Sequence, residues 1–460
     1  MISKKIISGI IILSIILTIP SGVLFANGYM LSGVGTKALG MAGAYVSIAD
    51  DWSAMYWNPA GIAGQRASVN LTAKILRPSS SLKADETIDA DGYLHYTNGE
   101  TFNTTKEFTP LGSVGGTYRI NRSLTAGLAV FSPAYRTTEW IGLFTGPPED
   151  YGNTVPYPER AWYSDLKVID VHPTIAYKVD QKIQIGLGLS LQYASLTMQT
   201  PNVSRSIPGY RWARIYIDET LDGTGLGFGL NFGLLYKLTS NMNFGFSVKT
   251  PIYIPIDGDF TQNLITPTIS GVEGAVGGTA TSVSGAEMDL MIPMSSTVGV
   301  SYRPMKDLTV AFDVKRTHWS LIKNFNIKMD PGSKGPREED LRDKKIPLLY
   351  DDSYKFSFGL DAKVPGGFWV RGGYYFETTP VPDETRLPIM NDYGDNHSLS
   401  LGARFDITKR LYIDGYWEYT QTIVKDVTSA NIDGDHSWDN VGGEWDHSVK
   451  TGGISVNFIY

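Results

Sequence analysis

Lys355, Arg371 and Arg404 fall in the same phase of three consecutive alternating segments, so their side chains share one face of neighbouring strands. Three cations on one wall are suited to gripping a carboxylate through charge-assisted hydrogen bonds. Asp361, Glu377 and Asp406 share that phase, so the same residues also fit an ion-pair lattice that needs no ligand. A second polar concentration, Asp433-Gly434-Asp435-His436 through Glu444-Trp445-Asp446-His447, offers oxygen and imidazole donors for a divalent cation. It lacks the spacing of a calcium loop, and a solvated acidic loop is the plainer reading. Catalysis has little to stand on. The chain has no cysteine, its six histidines are scattered, and neither GxSxG nor HExxH occurs, so no thiol mechanism, zinc site or hydrolase nucleophile is visible. No cofactor or metal is expected. With 40 basic and 47 acidic residues and a net charge of -7, there is no basic footprint for nucleic acid.

Strands must position these residues. In residues 411–419, Leu411, Ile413, Gly415, Trp417 and Tyr419 alternate with Tyr412, Asp414, Tyr416 and Glu418, one face apolar and the other wettable. The same period recurs in residues 183–194, 308–316, 356–362 and 399–407. About fourteen strands are expected, at 67–77, 112–120, 124–132, 166–178, 182–198, 225–237, 243–250, 295–303, 307–316, 354–364, 367–376, 397–407, 410–420 and 450–460. Tight turns at Asn121-Arg122, Asp180-Gln181, Thr239-Ser240-Asn241, Pro304-Met305-Lys306, Pro365-Gly366 and Thr408-Lys409 alternate with connections of tens of residues. Short periplasmic turns and long outer loops produce that asymmetry in a transmembrane β-barrel, and an even strand number brings both barrel ends to the periplasmic side.

The ends of the sequence agree with this. Lys4 and Lys5, an apolar run from Ile6 to Ile19, and small residues at Ala26 and Asn27 read as a signal peptide, residues 1–26. No later apolar stretch is long enough for a spanning helix. The last residues, Ser455-Val456-Asn457-Phe458-Ile459-Tyr460, form an alternating strand with a terminal aromatic, a feature resembling the signal read by the outer-membrane barrel assembly machinery. No linker or charge block divides the rest. The fold class expected is therefore all-β: an antiparallel transmembrane barrel of about fourteen strands, residues 67–460, in the outer membrane of a Gram-negative bacterium. Residues 27–66 precede it. The stretch 33–64, GVGTKALGMAGAYVSIADDWSAMYWNPAGIAG, is rich in small residues, has no dyad repeat, and suits a plug in a lumen that would otherwise stand open.

That stretch resembles the N-terminal hatch of the FadL family of outer-membrane transporters for hydrophobic compounds. Asn58-Pro59-Ala60-Gly61 matches the family's hatch motif, preceded by Asp50-Asp51, Ser53 and Ala54 at the family's spacing. His172-Pro173-Thr174-Ile175-Ala176-Tyr177-Lys178 is similar to its fourth strand running into the fifth, and Val310 to Ser320, ending Thr317-His318-Trp319-Ser320, to its ninth. Thr379-Pro380-Val381-Pro382-Asp383-Glu384-Thr385-Arg386-Leu387-Pro388, with Asp392 and Leu399-Ser400-Leu401-Gly402, resembles a loop and strand signature near its C-terminus. Two departures stand out. Pro133-Ala134-Tyr135 replaces a Pro-Phe-Gly turn, and Asp351 stands where relatives commonly carry a basic residue.

The resemblance implies a route for an apolar ligand, long-chain fatty acid or aromatic hydrocarbon. It would be captured among the outer loops, lodge in the lumen, displace the hatch, and leave sideways into the membrane through a gap at a kinked strand. Asn58, Pro59, Ala60 and Gly61 then act in gating; the plain alternative is that Asn58 caps a turn whose backbone Pro59 fixes. Loops at about 199–224 and 251–294 would form the capture surface, the second carrying Ile252, Tyr253, Ile254, Ile256, Phe260, Leu264 and Ile265, with loop self-packing the competing use. Partners beyond the ligand would be outer-membrane lipid and lipopolysaccharide. Two other classes compete: a PorV-like component of a protein secretion apparatus, opposed by the signature at 379–401, and a diffusion porin, opposed by the plug.

Overall fold

A computed structural model describes residues 28–84, 101–105, 108–141, 160–207, 210–266, 277–390, 394–422, 424–428 and 442–460. Residues 1–26, read from the sequence as a signal peptide, and residues 433–441 of the Asp/His-rich stretch lie outside these. Alternation closes into one antiparallel barrel of fourteen strands. They are β1 (Ser68–Ala84), β2 (Thr109–Arg119), β3 (Leu124–Phe131), β4 (Arg160–Lys178), β5 (Ile183–Ile207), β6 (Tyr210–Lys237) and β7 (Met242–Lys249). The ring continues with β8 (Ser295–Met305), β9 (Leu308–Thr317), β10 (Ser353–Lys363), β11 (Trp369–Glu377), β12 (Asn396–Asp406), β13 (Leu411–Thr422) and β14 (Gly443–Ile459). The first and last strands seal it, from Ser68 opposite Ile459 to Ala84 opposite Gly443. The Tyr460 amide donates to the Ala67 carbonyl at 2.8 Å beside the short turns, so both barrel ends share that side.

Residues such as Leu71, Leu128, Leu226, Phe228, Leu401 and Ile454 face outward and exposed, forming the apolar belt a bilayer requires. The opposite phase is buried and largely polar. Each expected strand is found, but β5 and β6 are longer than expected. β5 runs to Ile207 and β6 begins at Tyr210, so most of the supposed loop at 199–224 is a hairpin continuing upward from the wall. Residues 252–266 and 278–292 likewise pair with each other from Ile252 opposite Ile292 to Thr266 opposite Gly278, and the first of them also lines β6. Pro201, Pro251, Pro255 and the glycines of β6 disguised these extensions as loops. Residues 267–276 lie outside the described set.

Among the described residues two large apolar clusters divide the interior, with a small third of Met41, Ala44 and Ala311. One fills the outer half with Trp140, Trp319, Trp445, Ile254, Phe260 and Leu290 among others. The other belongs to the N-terminal segment, residues 28–66, packed on Ala129, Phe131 and Ala176 of the wall. That segment is mostly short turns: a helix α1 (Thr36–Gly40), a helix α2 (Ala54–Trp57) and a 3-10 turn (Pro59–Ile62). It sits against the wall so closely that a methyl group added to Gly233 of β6 would overlap Asn58 Oδ1, and one on Gly373 of β11 would overlap Met41.

Candidate functional site

Asn58 follows α2 and is fully buried. Its Nδ2 donates to the Val46 carbonyl at 2.7 Å and to Leu234 of β6 at 3.0 Å, while its Oδ1 accepts from the Ala60 amide at 3.2 Å. One side chain thus caps the 3-10 turn, joins two arms of the segment and ties it to the wall. Pro59 takes the first position of the turn, where its missing N–H costs nothing. Ala60 is buried, and Gly61 packs so tightly on Ala49 that a side chain there would overlap the Ala49 carbonyl.

Across the lumen the fastening is ionic. Asp313 Oδ2 of β9 accepts from the Tyr45 and Val46 amides, both at 2.7 Å. Lys37 of α1 donates to Asp50 at 2.8 and 2.9 Å and lies 3.2 Å from Asp361 of β10. Arg371 of β11 donates from Nε to that same Asp361 at 3.0 Å and from its guanidinium to Asp414 of β13. Desolvation opposes charge on both Lys37 and Asp50, yet their mutual attraction wins. Asp50 and Asp361 raise the Lys37 ammonium above its ordinary value, and Lys37 with the Tyr45 hydroxyl holds the Asp50 carboxyl below its own. Asp51, burdened by desolvation and by Asp50 beside it, is raised, although it accepts from the Ser53 amide at 2.8 Å.

Lys355, Arg371 and Arg404 share the lumen phase but not a level. Register places Asp361 opposite Arg371 and Lys355 opposite Glu377, six residues apart along β10. Arg371 belongs to the floor network just described. Lys355 stands higher, buried, 3.5 Å from Glu377 and 3.4 Å above the centre of the Tyr375 ring. Arg404 lies near the short turns, donating to Asp406 at 2.7 Å and covering the Tyr412 ring at 3.6 Å. The structure does not bring the three together. Ile252, Ile254, Phe260 and Leu264 are also displaced from the expected position: they are buried, facing inward from the strand at 252–266, while Tyr253 is the one turned out. Alternation in a strand, not a loop, sets their direction, so they line an inner chamber rather than an outer capture surface. In the Asp/His-rich stretch, His447 Nδ1 lies 2.8 Å from the Ser80 hydroxyl and Trp445 packs edge-on against Trp140, with no metal cluster among the described residues.

One part of the wall is incomplete. β2 and β3 pair only as far as Val114 opposite Val130, and Ser132-Pro133-Ala134 then turns the chain inward. There Ala134 bridges to Met30, and the Leu31 amide donates to the Pro133 carbonyl at 3.1 Å. The chain rejoins the wall at Tyr135–Ile141, paired with β4, and a bridge from Thr104 to Trp140 closes the wall above. Among the described residues, Thr109–Ser113 therefore have no ladder partner on the β3 side, a window of about 17 Å at roughly 3.3 Å per residue. Behind it lies a cavity of about 100 Å³ reaching Met30, Leu31, Thr109 and Tyr135. On the short-turn side, beneath the segment, an open vestibule of about 720 Å³ is lined by polar residues such as Gln181, Lys182 and Arg303 together with Leu235, Leu238 and Tyr302.

Sequence reasoning missed Lys37, Asp313, Lys249 and Lys315. The last three stand in the inward phase of their strands, which alternation reveals; Lys37 has no periodic signal.

A closed fourteen-stranded barrel with its lumen occupied by its own N-terminal segment defines an outer-membrane transport barrel. The family model for outer membrane protein transport proteins (OMPP1/FadL/TodX) matches residues 17–460. The chain belongs to that family, and its place is the outer membrane of a Gram-negative bacterium. It is 22% identical over 416 residues to the long-chain fatty acid transport protein of Escherichia coli, covering 85% of this chain and 86% of that one. Among solved structures it resembles a FadL homologue of Pseudomonas aeruginosa (TM-score 0.77, 18% identity, 94% of this chain and 100% of the other). It also resembles the toluene transporter TodX of Pseudomonas putida (TM-score 0.71, 18% identity, 94% and 99%). At these identities the structures speak for the fold. Members of the family are transporters, and this chain is a transport protein rather than an enzyme.

Proposed function

We propose that this protein carries hydrophobic compounds, foremost long-chain fatty acids, through the outer membrane and releases them sideways into the bilayer. The window between β2 and β3, backed by a cavity that Met30 touches, carries this reading. An apolar ligand gains nothing by descending through the vestibule into water, whereas a lateral exit delivers it to hydrocarbon. In this scheme Ile252, Ile254, Phe260 and Leu264 contact the ligand in the chamber. Residues 27–66 act as the hatch, with Asn58, Pro59, Ala60 and Gly61 setting its resting position. Residues 28–31 are the part that must yield: the Tyr29 hydroxyl donates to the Met291 carbonyl, Arg136 donates to the Gly28 carbonyl, and Met30 is stitched to the kink. Fatty acids are placed ahead of aromatic hydrocarbons because the E. coli relative is a fatty acid transport protein and the chamber floor carries cations. Lipopolysaccharide at the rim and the barrel assembly machinery are the expected partners. No observation favours the secretion-apparatus alternative.

The test exploits the absence of cysteine. Met30 and Ala134 are paired across an antiparallel bridge, within the reach of a disulfide, so a Met30→Cys/Ala134→Cys variant can be locked by oxidation. Transport-deficient Gram-negative cells expressing it should take up radiolabelled oleate only after reduction, with toluene uptake as comparator. Uptake by the oxidised barrel equal to that of the reduced one would sink the proposed exit.

A further inference from the structure

Arg77 of β1 and Lys450 of β14 stand directly opposite each other across the barrel seam, both exposed in the lipid-facing phase of their strands. Arg77 lies 5.1 Å from the centre of the Phe108 ring and Lys450 5.9 Å from that of Tyr419. Like charges facing each other across a ladder cost a sheet stability. Among the described residues neither has a carboxylate within ion-pair distance; Asp446, four residues further along β14, accepts from Gln421 Nε2 at 2.7 Å. Arg316, lipid-facing at a similar height on β9 and 5.8 Å from the Tyr354 ring, is arranged differently: its Nε donates to Asp352 at 2.9 Å. Height locates the unmatched pair. Arg77 is nine residues along β1 from Ser68, and Lys450 the same distance along β14 from Ile459. At roughly 3.3 Å per residue and a tilt of about 40°, that is about 23 Å above the level where Val69 and Phe458 begin the apolar belt. Such a belt is about 25 Å tall, so the two cations sit at its outer edge, above Ile75 and Ile454 and below the facing Ser79 and Ser448.

We infer that Arg77 and Lys450 bind a phosphate of the outer-leaflet glycolipid, lipopolysaccharide, on the lipid-facing side of the seam. A cation in this phase at this height faces lipid head groups, so its counter-charge comes from the membrane. A phosphate monoester, with a charge of about −1.5 to −2 at pH 7, matches two cations, whereas the phosphodiester of an ordinary phospholipid carries a single negative charge. The planar fork of Arg77 suits phosphate oxygens bidentately, with Lys450 as a point charge beside it. The rings fit the same occupant. Tyr419 is stacked with the exposed Trp417 at 6.2 Å, and Phe108 is exposed on the other flank, an aromatic girdle where head group meets acyl chain. A bound phosphate relieves the like-charge pairing at the one place where the first and last strands meet, so the lipid fastens the seam. Phe108 also leads into Thr109, where the wall window begins, and Ile75 stands opposite Pro110. The acyl chains of a lipid held here therefore lie beside the window.

The test measures binding of diphosphoryl lipid A, its dephosphorylated form and phosphatidylglycerol to the whole barrel in detergent with EDTA, by native mass spectrometry. The wild type is compared with Arg77→Gln/Lys450→Gln, the charge-retaining Arg77→Lys/Lys450→Arg, and Arg316→Gln. Heat-modifiable electrophoretic mobility reports correct assembly of each. The glutamine double variant should bind diphosphoryl lipid A about tenfold more weakly, the scale of a lost charge-assisted hydrogen bond, with the charge-retaining and Arg316 variants near wild type. Dephosphorylated lipid A and phosphatidylglycerol should bind the wild type about tenfold more weakly than diphosphoryl lipid A does. Wild-type binding indifferent to the phosphates overturns the site without recourse to any variant, and so does an equal loss in Arg316→Gln. Phosphatidylglycerol bound as tightly as diphosphoryl lipid A overturns the glycolipid as the occupant.

Discussion

Arg371 and Lys315 both point into the lumen from neighbouring parts of one wall, and their surroundings are opposite. Arg371 is held between two carboxylates, Asp361 and Asp414, with Lys37 of the N-terminal segment sharing the first. Lys315 faces another lysine and an open cavity. A buried cation whose hydrogen-bonding capacity is already filled holds the molecule together. One with no carboxylate within ion-pair distance adds no such fastening and lowers stability by its burial. The floor of the lumen is thus a fastening, and the ledge above it is not.

The sharpest way to break this comparison is Arg371→Met. It leaves Asp361 and Asp414 buried with Lys37 and, across from Asp414, Arg404 as the remaining cations, and about 3–5 kcal/mol of stability should be lost. The check is urea unfolding of the barrel in detergent, followed by tryptophan fluorescence; an unchanged midpoint would mean that the floor network is not structural. A smaller, local effect is expected from Asn58→Ala, which deprives the Val46 and Leu234 carbonyls of their donor at about 1–3 kcal/mol. Hydrogen exchange at residues 46–62 should quicken while the barrel midpoint stays, and oleate uptake should fall. Loss of the whole barrel would show instead that Asn58 serves global folding.

The smallest effect concerns pH. The Asp50 carboxyl is held low, so its contribution is present above the ordinary carboxylate value of about 4 and disappears as pH falls through its lowered one. The Lys37 ammonium is held high, so its contribution is lost only as pH rises through that raised value. The difference in opening-limited hydrogen exchange at residues 37–51 between the wild type and Asp50→Asn should therefore be constant from about pH 5 to 9 and shrink on further acidification; a difference that persists undiminished below about pH 3 would contradict the pairing.

The ring of fourteen strands was legible because period-two alternation and short turns are local properties of the chain. The upward reach of β5 and β6 was not, since Pro201, Pro255 and the β6 glycines carry loop chemistry into paired strands. Phase reveals which face Lys355, Arg371 and Arg404 occupy, but depth in a barrel is set by register, and register put Arg371 in the floor, Lys355 on the ledge and Arg404 near the turns. Lys249 and Lys315 carried the same phase signal; what singles them out, the want of an ion pair among the described residues, exists only once the barrel has been assembled around them. Asn58 was legible through its motif, and its three hydrogen bonds give the motif a physical reason.

The seam between β1 and β14 has a kinetic consequence. Ser68 and Ile459 meet across nearly the whole chain, so the last pairing to become possible is also the one that removes both free edges of the sheet. Loop-closure entropy grows only slowly with length, but an unclosed barrel meanwhile displays the unpaired amides and carbonyls of β1 to any strand nearby. Time spent open, rather than the final stability of the ring, is then the interval in which this chain is most exposed to mispairing.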